Sequence, residues 1–196
     1  MLRIVLASVL AGAGMFMWEF VHHMFTPLGD LGVQSIPSDE KLLPAIGAEL
    51  KEPGLYFFPH LEKKPGASSA EQEAAMDEYS QRHEKGPAGI IVLAPTGEPM
   101  MSPWTLGIQF GTDVLCGLLG AILAVASGAA TFRKRFVLVS LLGLAPVLAS
   151  EIPNWNWYRF PIDFTFAAMV ENVVGFIVVG LIVAAIVRPC CGPSAK

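Results

Sequence analysis

The sequence predicts an α-helical membrane protein with four transmembrane helices and a small extracytoplasmic α/β insertion between the first and second helices. Two observations carry this. Hydrophobic residues make up 53% of the chain and charged residues 15%, with a mean hydropathy of +0.53, too oily for an ordinary soluble domain. The charges are also segregated, leaving apolar runs at residues 2–21, 104–128, 136–152 and 164–187. Each run is near the roughly 20 residues that a helix needs to cross about 30 Å of hydrocarbon.

The first helix, residues 1–24, ends in MWEFVHHM. It has a rival reading as a signal peptide, with Arg3 as its basic start and Ala11-Gly12-Ala13 as a cleavage site. Retention is preferred, because the apolar run continues past Ala13 to Val21. Residues 25–103 form the insertion, with twelve acidic against six basic residues, an unsuitable balance for nucleic acid. Within it Ser38 caps a short helix that Pro44 limits, and GLYFF reads as a strand. Ser68 and Glu71 fit a capping box at the start of a second helix that Gly86 ends. AGIIVLA reads as a second strand, and the strand, helix, strand order predicts a parallel crossover if the strands are neighbours. No phosphate loop, nucleophile elbow or paired-cysteine signature occurs there.

The second helix spans residues 104–128, and the basic loop 129–135 follows it with Arg133, Lys134 and Arg135. The third helix is the shortest, residues 136–152, with Pro146 inside it and Glu151 and Pro153 at its end. An aromatic loop, 153–163, carries Trp155, Trp157, Tyr158 and Arg159, with Asp163 four residues past the arginine as the fourth helix begins at 164. That helix runs to 187, and 188–196 form a tail. The basic flanks put both termini and the 129–135 loop in the cytoplasm of a bacterial inner-membrane protein. Trp18, Trp104, Trp155 and Trp157 then lie at the outer interface, where an indole keeps its N–H in water. Of three cysteines, Cys116 lies within the second helix and Cys190 and Cys191 read as free thiols on the reducing side.

Ionisable groups in hydrocarbon are costly and mark functional candidates. Asp113 lies about ten residues and Glu171 about eight residues inside their helices, roughly 15 Å and 12 Å deep at the helical rise. No lysine or arginine shares that depth. Two such carboxyls are expected to hold a proton or a cation between them, or to hydrogen-bond to Asn172, Gln109 or Thr112 as helix-binding contacts. Thr105, Gln109, Thr112, Asp113 and Cys116 draw a polar stripe on the second helix, as Ser8, Gly12, Met15, Glu19 and His22 do on the first. Gly107 and Gly111 add a small-residue pattern for close packing. Glu19 lies three residues before His22 and four before His23, which places the carboxylate on the same face as either imidazole. This spacing occurs in carboxylate-bridged metal sites of helical bundles, and Met17, Met24, Met100 and Met101 would suit a soft ion such as Cu(I). The competing reading is an ordinary interfacial helix end.

The segments PGLYFFP, GPAGIIVLAPTG, MSP before the second helix and PNWNWYRFP before the fourth span most of the chain in order. Together they resemble a group of uncharacterised bacterial membrane proteins. The resemblance implies four helices and one long extracytoplasmic loop, and carries no activity, substrate or catalytic residue with it. The expected function is that of a non-catalytic membrane component acting through partners, whether other membrane proteins or a second copy. The alternatives are a small proton- or cation-handling transporter using Asp113 and Glu171, and a metal-binding or redox protein using Glu19, His22 and His23. No cofactor is expected apart from a transition metal in that last alternative.

Overall fold

A computed structural model describes residues 1–62, 64–95, 97 and 99–188, so that Cys190, Cys191 and Lys196 lie outside the described residues. The chain divides into two units, Met1–Gln34 with Pro99–Lys196 and the intervening Ser35–Glu98. The first unit holds four helices long and apolar enough to cross a membrane: Leu2–Phe25, Pro103–Ala126, Phe132–Tyr158 and Ile162–Ile186. They are named here the first to fourth spans.

Neighbouring spans run antiparallel. Gly12 of the first lies against Val114 of the second, and Gly117 against Ser8. The third and fourth spans meet at Gly143, beside Asn172 and Phe176, and at Gly180, beside Phe136 and Ser140. A Cβ on Gly12 would lie 2.6 Å from the Val114 backbone, and one on Gly117 would lie 2.6 Å from the Ser8 carbonyl oxygen. Lipid is as apolar as leucine, so close van der Waals contact, not water exclusion, draws such helices together. The expected seam at Gly107 and Gly111 is absent: both face open space. Close approach occurs instead further along, where Ser8 and Ala11 of the first span oppose Gly117, and Val139 and Val179 of the third and fourth spans oppose Gly120.

The second span starts at Pro103, one residue before the expected start. The Ser102 hydroxyl accepts the Thr105 N–H at 3.0 Å, and Pro103 occupies the first turn, where its missing N–H costs nothing. The third span is longer than expected at both ends. It begins at Phe132, capped by Thr131, which moves Arg133, Lys134 and Arg135 out of the loop and into the helix. Beyond Ser140 it tightens into a 3-10 turn at Leu141–Gly143 and widens into a π turn at Val147–Glu151. These changes of winding accommodate Pro146 and Pro153, which lack an N–H to donate. Helix therefore continues through Ile152–Tyr158, with Pro153 in its first turn. Trp155, Trp157 and Tyr158 thus stand on a helical end and not in a loop. The break comes at Arg159, in the left-handed region at φ 58°, where Phe160 N–H reaches back to the Asn154 carbonyl.

In the second unit β1, Gly54–Phe58, pairs with β2, Gly89–Leu93. The pairing is antiparallel, Gly54 opposite Leu93 and Phe58 opposite Gly89, which corrects the expected parallel crossover. A parallel pair needs helices covering its faces. The intervening helix, Ser69–Lys85, buries none of its residues and leaves the strands uncovered. The chain leaves β1 and re-enters β2 at the same end of the sheet, which antiparallel pairing permits with any length of connection. The capping box is present: Ser68 N–H and hydroxyl both donate to Glu71 Oε2, at 2.8 and 2.7 Å.

Candidate functional site

The polar residues of the spans gather at the end of the bundle where the chain leaves the first span and enters the second. They form two groups. Asp113, 1% exposed, accepts from the Gln109 amide at 3.1 Å, and the same amide donates to Glu19 Oε2 at 2.9 Å. Asp113 Oδ2 is buried without a hydrogen-bond partner. Gln109, although exposed on the helix surface, links the two carboxyls from one turn away.

The second group joins the first and fourth spans. His23 Nε2 lies 3.0 Å from Glu171 Oε1, and His22 Nδ1 lies 3.8 Å from the same oxygen. His22 is 1% exposed, and neither of its ring nitrogens has a hydrogen-bond partner. The His23 side chain is 57% exposed and that of Glu171 22%. One ligating atom from each of the three residues lies within 4.8 Å of the others. Trp18 fixes the approach of the helices by donating its indole N–H to the Glu171 main-chain carbonyl at 3.0 Å. Its ring centroid lies 5.7 Å from that of His22. Gly175, a turn beyond Glu171, gives space to Met15 and Trp18.

The structure thus rearranges the groupings that helical spacing suggested. Glu19 turns to Gln109 and Asp113, and the two histidines take Glu171 as their carboxylate. Asn172 donates to the Ala168 carbonyl of its own helix, so it is the partner of neither the buried Asp113 nor the partly exposed Glu171. Thr112 likewise donates to Ile108 and is exposed. Met17, Met24, Met100 and Met101 are exposed. Trp18 is tied to a carbonyl and does not keep its N–H for water. Arg159 and Asp163 are both exposed, and the ion pairs among the described residues are the two at Glu171. Arg159 therefore does not supply a charge to Glu171.

At the opposite end stands a buried residue that the basic cluster concealed. Arg135 is 6% exposed. Its Nη1 donates to the Ala129 and Ala130 carbonyls, both at 3.0 Å, and its Nη2 to Ala184 at 3.1 Å. The guanidinium thereby occupies two carbonyls of the loop that leads into the third span and one open carbonyl in the last turn of the fourth. Positions 135, 139 and 143 recur at the helical spacing that buries Val139 and Gly143, which distinguishes Arg135 from its neighbours. Between this arginine and the acidic end, the bundle is filled by Ala7, Ala11, Ala121, Ala124, Val139, Val179 and Val183.

Comparison of the chain with protein-family models, curated proteins and solved structures gave no match. The four long apolar helices agree with a four-helix membrane protein, and no family is identified.

Proposed function

We propose that this multi-pass membrane protein is a non-catalytic component that acts through another protein chain recruited by residues 35–98. The observation that carries the reading is that no described residue of that unit is buried. A two-stranded sheet is marginal in water without further strands or a helix against its face. Here the sheet leaves Leu55, Phe58 and Val92 exposed, the last at 75%. Scattered apolar side chains on a surface need no explanation, but a unit without a core gains order by covering such residues with a partner. The basic flanks and the positions of Trp104, Trp155 and Trp157 favour a bacterial inner-membrane protein with cytoplasmic termini and an extracytoplasmic insertion.

A photoreactive amino acid placed at Val92 in the full-length protein tests this in cells. A discrete adduct is expected, at twice the chain mass if the partner is a second copy, and Leu55→Asp should abolish it without reducing membrane insertion. A smear, or an adduct indifferent to Leu55→Asp, overturns the reading.

The Glu19, Gln109 and Asp113 chain favours a second reading, proton or cation handling, now with Glu19 in the place assigned to Glu171. Against it stands the alanine and valine packing through the other half of the bundle, where the Cys116 thiol packs against the apolar core and, among the described residues, no carboxyl, imidazole or amine is buried between Asp113 and Arg135. Flux into proteoliposomes that is lost in Asp113→Asn would establish the transport reading. Absence of flux in the wild type would dismiss it.

A further inference from the structure

We propose that His22, His23 and Glu171 form a site for one first-row divalent transition metal ion of the zinc, cobalt or copper(II) type. This goes beyond the partner reading and does not depend on it. The argument starts from His22. A neutral imidazole has one donor and one acceptor nitrogen, and burying either without a partner costs roughly 1–3 kcal/mol. Here both nitrogens are buried and unpartnered, on a side chain 2% exposed and directed at a carboxylate. A bound cation would supply the missing partner to one of them.

The geometry fits such an ion. Tetrahedral zinc, with ligands at about 2.0–2.1 Å, holds them roughly 3.3 Å apart. The His23 to Glu171 separation of 3.0 Å and the His22 to Glu171 separation of 3.8 Å bracket that value, and all three ligating atoms lie within 4.8 Å of one another, a spread that side-chain rotation can close. Two imidazole nitrogens and one carboxylate oxygen make a donor set of intermediate softness. It is unsuited to the all-oxygen coordination of calcium or magnesium, and it lacks the sulfur that favours Cu(I). Three protein ligands leave one position for water or a substrate, and the exposed His23 gives an ion a way in. Trp18 holds the main chain of Glu171 and lies beside His22, so the indole orients both ligating helices. The site ties the first span to the fourth.

The test uses the full-length protein, purified in detergent, stripped with a chelator and titrated with CoCl2, whose visible absorption reports four-coordinate binding. One equivalent is expected. His23→Ala and Glu171→Gln should each weaken binding by more than about 100-fold, since loss of even an outer hydrogen-bond partner to a metal ligand costs roughly 10–100-fold. Because His22 is buried and its removal opens a cavity, the exposed His23 carries the decisive substitution. Glu19→Gln should leave cobalt affinity unchanged, which separates this ligand set from the one that sequence spacing suggests. No cobalt binding by the wild type, unchanged binding in either ligand variant, or loss of binding in Glu19→Gln overturns the proposal.

Discussion

In the bundle a helix is held by its neighbours, and in the insertion a helix is held by its own ends. Gly12 and Gly117 bring two spans into backbone contact, and Arg135 ties the loop before the third span to the end of the fourth with one guanidinium. The helix Ser69–Lys85 buries nothing, and what holds its first turn is the reciprocal pair Ser68 and Glu71. The difference teaches where a small change will be felt. In a bundle packed by contact, one methyl group propagates to a neighbouring backbone. In a unit without buried residues, the same change stays within one turn.

The largest effect expected follows from the seam. Gly12→Val would drive a side chain into the Val114 backbone, which cannot rotate away as a side-chain tip can. Overpacking of this kind costs about 1–3 kcal/mol, occasionally more, and should appear as a large fall in thermal midpoint in detergent. Gly107→Ala meets nothing within 4 Å and should leave that midpoint unchanged. Equal effects of the two would break the comparison.

Next comes the guanidinium. Arg135→Ala leaves three carbonyls without their donors; a hydrogen bond to a charged group contributes about 1.5–3 kcal/mol net, and water can take the donor's place at the exposed Ala130. A loss of about 2 kcal/mol is expected in chemical denaturation. Arg135→Lys should fall between, because an ammonium cannot reproduce the planar fork that reaches Ala129, Ala130 and Ala184 together.

The smallest effect is local to the insertion. Ser68→Ala should cost about 1 kcal/mol of helix stability, read as faster amide exchange at residues 70–73, with the bundle midpoint unmoved. The same cap has a pH signature. The hydrogen bonds from the Ser68 hydroxyl and backbone N–H hold the Glu71 carboxyl below its ordinary range. A carboxyl depressed in the folded state contributes stability that is present above its unfolded pKa and is lost as pH falls through the folded one. Amide exchange in the first turn should therefore accelerate as pH drops below the usual carboxylate range, after correction for intrinsic rates, and Glu71→Gln should remove that dependence.

Much of this protein was legible in its sequence because the responsible physics is local. Length and apolarity identify the four spans, since about 20 apolar residues have few other uses. Ser68 with Glu71 announces a helix start through bonds that close within three residues. The composition of residues 25–103 separates the insertion from the spans, and Asp113 and Glu171 stand out as polar groups in oily helices. Asp113 is indeed buried.

What tertiary structure alone decided is which polar group meets which. Helical spacing puts Glu19 on a face with His22 and His23, yet a side chain at the edge of that face has neighbours on two other helices to choose from. The rotation of each span, set by where Gly12, Gly117, Gly143 and Gly180 allow backbones to touch, turns Glu19 to Gln109 and Asp113 and delivers Glu171 to the histidines. The same holds for Arg135, one of three adjacent basic residues, which its place on the Val139 and Gly143 stripe carries inward. The antiparallel β pair, too, depends on whether a helix covers the sheet. Sequence spacing describes one helix at a time, and pairing across helices is fixed by the few positions where two backbones can approach.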